Sequence, residues 1–505
     1  MPYISDTPSE ASIEPTHDIE EERRRQHHDA DVVVVGAGVL GSALAVALAD
    51  QGRSVILLER SLKEPDRIVG ELLQPGGVEA LRKLGLRSCL EDIDAVTVKG
   101  YGVFYHGTPV EIPYPHNAAE QNEKSEEDKA NGILRRAEGR SFHHGRFISK
   151  LRAAALSHPN ITVFETEVTE LITFQSDVTQ QQRIIGVQTL TKKVQNDYFF
   201  GALTIVADGY NSKFRKQYST ATPVSKSKFW GLELQHESCP LPMPNHGHVI
   251  LSDTAPILLY QIGSHETRAL IDIPDNTASA SLASGGVKSH LQNIVLPTLP
   301  AQVRPSFAAA IEKGHLRSMP NSHLPATTNR MPGLAILGDA LNMRHPLTGG
   351  GMTVALNDVV LLKTLLDPSI VSDLDNTQLV LRQFKSFHWQ RKNLTAVINI
   401  LAQALYSLFA ANDPQLRYLQ KGCFRYFQFG GNCVDGPVGL LGGIIRQPFV
   451  LFYHFFAVAF LSIWVMVCEK GVLSALTGWT AVQGGLIFYK ACVVLFPYIW
   501  AEVQS

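Results

Sequence analysis

The chain has 505 residues, a formal net charge of -2, and is 45% hydrophobic and 18% charged. That length allows two to four domains with an ample core, and near-neutral charge without long basic runs argues against nucleic acid as a partner. Cys89, Cys239, Cys423, Cys433, Cys468 and Cys492 show no C-x-x-C or Cys/His spacing, which fits a reduced compartment and gives no support for zinc.

Residues 1–30 are polar and read as a disordered tail without a signal peptide or N-terminal anchor. In residues 31–59, DVVVVGAGVLGSALAVALADQGRSVILLE, the β-branched run Val32 to Val35 suits a strand buried on both faces. Gly36, Gly38 and Gly41 follow in G-x-G-x-x-G spacing. The first permits a tight turn, the second lets backbone approach a pyrophosphate, and the third lets the helix pack closely. Val55 to Leu58 make a second strand, and Glu59 stands at its end, where an acid receives ribose hydroxyls. Strand, glycine turn, helix, strand and acid in this order predict an adenine-dinucleotide site.

Residues 63–77 contain Pro65, Gly70 and Pro75 and read as a loop against this unit, followed by a short helix over 78–84. Alternating residues 101–115 predict strands of a second sheet, and the acidic run 118–131 a solvated insertion. An amphipathic helix is expected within 141–156, and strands over 161–173, 184–191 and 201–209, the last ending in Ala207-Asp208-Gly209. Short strands at 257–262 and 267–273 and a helix near 307–313 fill a stretch without nucleotide signals, which reads as a substrate domain. Residues 334–337 form a buried strand ending in Gly338-Asp339, then a turn with Pro346 and Gly349 to Gly351 opens a helix near Met352.

Residues 386–409 read as a long helix and 425–443 as a broken connector. Residues 448–468 carry no formal charge, long enough to span a bilayer, for which about 20 apolar residues suffice. A second apolar segment runs to about Trp500 but contains Gly484, Gly485 and Lys490. A lysine at the bilayer centre costs about 2.5–3.5 kcal/mol on insertion scales. The expectation is therefore a helical pair embedded in one leaflet, with Lys490 reaching the head groups.

The G-D strand end followed by P-x-x-G-G-G and a helix resembles the flavin-contacting segment of the flavin-dependent aromatic hydroxylase superfamily, and Asp208-Gly209 matches its middle D-G motif. DRIVGELLQPGG, FHHGRF, VADGYNSKFRK, HLRSMP and GDALNMRHPLTGGGMTVALNDVVLL together resemble the squalene monooxygenase (squalene epoxidase) family, from residue 31 to the C-terminus. The chain departs from members that carry an N-terminal hydrophobic anchor, and the 118–131 insertion also varies.

The resemblance implies an α/β fold: a Rossmann-like FAD-binding domain (31–100, 135–220, 325–362), an interleaved mixed-sheet substrate domain (101–134, 221–324), a helical region (363–447) and C-terminal membrane-associated helices (448–505). It implies that FAD is held by Gly36, Gly38, Gly41, Glu59 and Arg60, by Arg67 and Arg146 near the pyrophosphate, and by Asp339 on a ribityl hydroxyl. Val39, Leu40, Leu72, Val168, Gly351 and Met352 are expected to meet the flavin through backbone or apolar contact. Tyr101, paired with Gln74, is expected near the flavin as the catalytic pair. The implied reaction is epoxidation of squalene to (S)-2,3-epoxysqualene with O2 through a flavin C4a-hydroperoxide, in sterol biosynthesis. Implied partners are NADPH-cytochrome P450 reductase as electron donor and membrane lipid, at the endoplasmic reticulum with a cytosolic catalytic domain. The adjacent His143-His144 matches no metal motif. Two other readings are a membrane flavoenzyme of the geranylgeranyl reductase type, for which O2 is not a substrate, and a non-enzymatic prenyl-protein carrier of the Rab escort type. The Gly338-Asp339 block argues against the second.

Overall fold

The computed structural model describes residues 28–116, 136–175, 181–192, 195–238, 240–471 and 478–504. Residues 1–27 of the expected tail and the 118–131 insertion lie outside the described residues. The first strand, Asp29–Val35, begins before the expected tail ends, because Asp29 and Ala30 pair with Phe200 and Gly201.

That strand sits inside a seven-stranded sheet ordered Ile161–Glu165, Val55–Glu59, Asp29–Val35, Gln195–Val206, Gln182–Thr191, Glu167–Gln175, with Leu334–Ile336 parallel to Gln195–Val206. Parallel neighbours on both edges leave Val32, Val33 and Val34 fully buried, which is why they form an unbroken apolar run. The helix Val39–Ala49 is buried almost all round, packed between this sheet and the helices His144–Leu156 and Gly351–Leu365.

A second seven-stranded sheet runs Arg317–His323, Val224–Gln235, Glu266–Pro274, Ile257–Gln261, His246–Leu251, Gly100–Tyr105, Thr108–Pro113. Its pairs are antiparallel except His246–Leu251 with Gly100–Tyr105. A small sheet of Leu72–Leu73, Gly139–Ser141 and Val96–Val98 lies between the two in the chain's path. The expected loop 63–77 is thus only partly irregular. It contains a strand, and the next helix starts earlier than expected, at Pro75, whose fixed φ suits a first helical position.

The C-terminal third is helical: Thr377–Phe409, Pro414–Gln428, Asn432–Leu441, Pro448–Lys470 and Gly478–Gln504. The first two meet at 112°, and Asp413 caps the second by accepting from Leu416 N at 2.8 Å. The expected irregular connector over 425–443 is instead two helices separated by Gly430 and Gly431, both at positive φ. Pro448–Lys470 docks onto them by close approach, with Gly436 leaving room for the His454 ring, whose Nδ1 pairs with the Tyr426 hydroxyl at 2.8 Å. Pro448–Lys470 and Trp479–Gln504 are each long and apolar enough to cross a membrane. Phe449, Tyr453, Phe460, Trp464, Trp479, Tyr489 and Trp500 are exposed on this pair. Lys490 does not reach outward as expected. Its ammonium pairs with Asp413 Oδ2 at 2.6 Å, so the charge is neutralised within the protein.

One apolar cluster continues from Leu72, Tyr101, Tyr260 and Leu347 through the long helix to Leu451, Met466 and Leu495. The amide of Gly76 donates to Gly442 O at 2.7 Å, tying the C-terminal helices to the segment that carries Gln74.

Candidate active site

A cavity of about 630 Å³ opens between the two large sheets and runs from the Gly36-Gly38 turn to Gly351 and Met352. Its first wall is the glycine turn. Gly36 has φ +100°, and a Cβ there would meet Ala207 O at 2.6 Å. A Cβ on Gly41 would strike Gly36 O, so the helix start is pressed onto the turn. Gly38 differs, since a Cβ there meets nothing within 4 Å and its backbone faces open cavity. This leaves room for a phosphate against the helix N-terminus.

Glu59 Oε2 accepts from Ala37 N at 2.8 Å and Oε1 from Ser61 N at 3.2 Å. A carboxylate offers about four acceptor sites, so capacity remains for ribose hydroxyls. Arg152 Nη2 lies 3.4 Å from Glu59 Oε2, while its Nε donates to Ala37 O at 2.9 Å and its Nη1 to Lys63 O at 3.1 Å. Burial lowers the Arg152 guanidinium from its ordinary value, and Glu59 and Glu165 oppose that shift.

At the other end, Gly338-Asp339 and Asp208-Gly209 are stapled together by Arg215. Its Nε donates to Ala340 O at 2.8 Å, and its Nη2 to Tyr210 O at 2.8 Å and Asp339 O at 3.1 Å. Asp208 Oδ2 accepts from Lys213 N at 2.9 Å, and Oδ1 is buried without a partner among the described residues. Burial raises the Asp208 carboxyl, opposed by Ser212 and Lys213.

Tyr101 lies on the cavity wall, where burial pushes its hydroxyl up to about 12. Gln74, fully buried behind it, donates from Nε2 to the Tyr101 hydroxyl and to Thr348 O at 2.7 Å. Gln74 Oε1 accepts from the Tyr114 hydroxyl at 2.6 Å. The wall beyond is apolar, with Val249, Leu258, Leu270, Met319, Met343 and Leu347. Glu71, on the same cavity, is neutralised from behind by Arg268, whose Nε and Nη2 donate to the two Glu71 oxygens at 2.8 Å each. Burial opposes that charge, but the Glu71 field and hydrogen bonds outweigh it and hold Arg268 ionised. His144, also on the cavity, pairs through Nδ1 with Gly70 O at 2.7 Å, and burial lowers it to about 4, so it is neutral.

Gly36, Gly38, Val39, Leu40, Glu59, Arg60, Arg67, Leu72, Tyr101, Val168, Asp339, Gly351 and Met352 all line this cavity. Gly41 and Gln74 stand behind its surface. Arg146 is not brought there: its Nη1 lies 3.6 Å from Asp94 Oδ2 on the protein's exterior, and its side chain is 39% exposed. The basic residue that this helix delivers is Arg152, which the resemblance did not pick out. A signal was present, because Ile148, Leu151, Arg152 and Ala155 follow i, i+3, i+4, i+7 spacing and place an arginine inside the buried stripe. Arg215 and Arg268 lacked any such signal, since Ala340, Asp339 and Glu71 lie far away in sequence.

A cavity with open space at a helix N-terminus, an acid with spare acceptor capacity and an unpartnered aspartate oxygen fits an adenine dinucleotide. Residues 200–479 match the squalene epoxidase family, and residues 31–222 match the family named glucose inhibited division protein A. A squalene epoxidase of Aspergillus fumigatus is 59% identical over 493 residues, covering 97% of this chain and 98% of that protein. A squalene monooxygenase of Mus musculus is 41% identical over 94% of this chain and 78% of its own length. In fold, p-nitrophenol 4-monooxygenase of Pseudomonas putida aligns at TM-score 0.63 and 15% identity, covering 83% of this chain and 100% of that one. A probable FAD-dependent monooxygenase of Pseudomonas aeruginosa aligns at 0.59 and 18%, covering 76% and 97%. With this cavity and these relatives, the chain belongs to the squalene epoxidase family of FAD-dependent monooxygenases.

Proposed function

We propose that this protein inserts one atom of O2 into a terminal double bond of squalene to form 2,3-epoxysqualene, with FAD in the cavity between the two sheets. The observation that carries the reading is the continuity of the cavity, from the Gly36-Gly38 turn at one end to the apolar wall of Val249, Leu258, Leu270 and Leu347 at the other. An isolated alkene needs an electrophilic oxygen, which side chains lack and which bound FAD, once reduced, supplies from O2.

The protein's own residues bind, orient and dry. The Gly36-to-Gly41 turn and the helix Val39–Ala49 take the pyrophosphate, Arg152 braces that turn through Ala37 and Lys63, and Glu59 takes ribose hydroxyls. Asp339, fixed through its backbone by Arg215, takes a ribityl hydroxyl. Val249, Leu258, Leu270 and Leu347 surround the alkene with hydrocarbon and keep water out. Gln74 fixes the Tyr101 hydroxyl at the edge of that wall. Squalene has no polar handle, so selection rests on pocket shape, worth about 1–3 kcal/mol per methylene-sized misfit.

Electrons come from NADPH through cytochrome P450 reductase, and the exposed aromatic face of the C-terminal helices seats the protein on the cytosolic leaflet of the endoplasmic reticulum. The test uses purified, FAD-loaded protein with squalene, NADPH and that reductase, in air and under nitrogen. Epoxide only in air supports the reading. A hydrogenated product under nitrogen places the protein among flavin reductases instead.

A further inference from the structure

Arg344 stands on the cavity wall just before the Pro346-to-Gly351 turn and is 7% exposed. Its Nη2 donates to Asn342 O at 2.9 Å and to Asn342 Oδ1 at 2.8 Å, and its Nη1 reaches Gly351 O at 3.4 Å. Its Nε is buried with no hydrogen-bond partner among the described residues. All three bonded acceptors are neutral. The neighbouring Arg391 is handled differently, with a bidentate pair to Asp358 at 2.9 and 2.6 Å. Burial lowers the Arg344 guanidinium, with Asp339 the largest opposing influence, yet an arginine keeps its proton.

A buried cation without a bonded counter-ion is costly unless an anion completes it. Squalene and O2 are uncharged, and the pyrophosphate is already served by the glycine turn. Arg344 stands instead at Gly351, first residue of the helix Gly351–Leu365, so a guanidinium and a positive helix end occur together. Gly349 of the same turn packs on Leu72 and Gln74, which places the turn beside the Tyr101 wall. Two electrons and one proton from the reductant leave the isoalloxazine ring of FAD with one negative charge.

We propose that Arg344 is the fixed cation that offsets this charge, so that reduced FAD is bound more tightly than oxidised FAD. The proposal rests on the reading of the cavity as the FAD site. The cation is set in place by a buried relay. Asn342 Oδ1 also accepts from Asn399 Nδ2 at 3.1 Å, and Asn399 Nδ2 donates to Glu502 Oε1 at 2.7 Å. Glu502 belongs to the last turn of the C-terminal helix Gly478–Gln504, and its charge acts on Arg344. Loss of that anion leaves the wall more positive.

The experiment measures FAD content and then the two-electron midpoint potential of the full-length protein by equilibration with a reference dye. Arg344→Gln is expected to favour oxidised over reduced FAD by at least tenfold, equal to a fall of about 30 mV. Arg344→Lys, which keeps the charge, restores most of it, and Glu502→Gln raises the potential above wild type. Opposite signs from the two neutralising changes are what a packing role does not produce. FAD-replete Arg344→Gln at the wild-type potential overturns the proposal. If that variant does not retain FAD, Glu502→Gln decides: a rise sustains the proposal and an unchanged potential overturns it. Wild-type protein that takes up no FAD defeats the underlying reading instead.

Discussion

Gln74 donates its amide N–H to the Tyr101 hydroxyl, which leaves that hydroxyl's own proton pointed toward Thr348 O at 3.4 Å. Gln74 caps the helix Pro75–Lys83 directly after the strand Leu72–Leu73, and Tyr101 lies in the strand Gly100–Tyr105, so the bond ties the end of the small sheet to the substrate-side sheet at the cavity wall.

Tyr101→Phe keeps the ring, and Gln74 keeps its second bond to Thr348 O. Stability should change by about 1 kcal/mol or less, the net value of one hydrogen bond. Gln74→Leu removes the acceptor of the buried Tyr114 hydroxyl and leaves Thr348 O with only the 3.4 Å bond from Tyr101, and should cost about 1–3 kcal/mol. Epoxidation is expected to fall in Tyr101→Phe at unchanged FAD content. Turnover equal to wild type would make Tyr101 a packed aromatic only.

The helix His144–Leu156 carries two arginines with opposite expectations. Arg152→Ala removes the brace on Ala37 and Lys63 and strands Glu59 beside the turn, and should weaken FAD binding at least tenfold, about 1.4 kcal/mol. Arg146→Ala removes a half-exposed contact, and exposed pairs are worth about 0.2–1 kcal/mol at most. Its FAD affinity should match wild type. Fluorescence titration of apoprotein with FAD distinguishes the two, and the reverse order would restore Arg146 as the pyrophosphate ligand.

Local signals made much of this legible. The run Val32 to Val35, the glycine spacing and Glu59 describe one continuous unit whose contacts are near in sequence. Thirteen of the sixteen site residues expected from the resemblance lie on one cavity. What stayed hidden depends on distant partners. Arg215 reads as one base among several until Ala340 and Asp339 are folded against it, and the bidentate pair of Glu71 with Arg268 joins residues far apart in the chain. Lys490 misled for the same reason, because Asp413, its partner, lies on another helix.

Asp339→Ala removes a charged acceptor from the ribityl end of the cavity, a loss of about 1.5–3 kcal/mol. FAD affinity should drop by roughly ten- to a hundredfold. Wild-type FAD content together with wild-type turnover would reject this role.

Asp272 accepts from Tyr406 at 3.0 Å and Asn321 at 2.8 Å, and burial raises its carboxyl from 3.8 to about 6 despite them. Between those values the folded protein holds a proton that the unfolded chain releases. Stability therefore falls as pH rises from about 4 to about 6, by about 3 kcal/mol, and is flat above that window. Asp272→Asn should flatten this fall in denaturation midpoints measured from pH 4 to 7. A fall of wild-type size in the variant would assign the effect elsewhere.

The ion pair with Asp413 lifts the cost that Lys490 would bring to a spanning helix, so the expectation of a pair lying in one leaflet rests on its exposed aromatics, Phe449, Tyr453, Phe460 and Trp464 on one helix and Trp479, Tyr489 and Trp500 on the other. A single cysteine at Gly471, with Cys468 replaced by serine, should react with a membrane-impermeant reagent in sealed microsomes. Reaction only after the lumenal side is opened would mean that the helices span.

The most direct test of the central claim is the origin of the product oxygen. Under ¹⁸O2, with FAD-loaded protein, NADPH and cytochrome P450 reductase, each molecule of 2,3-epoxysqualene should carry one ¹⁸O atom. Epoxide without ¹⁸O, or squalene consumed with no oxygen gained, would contradict it.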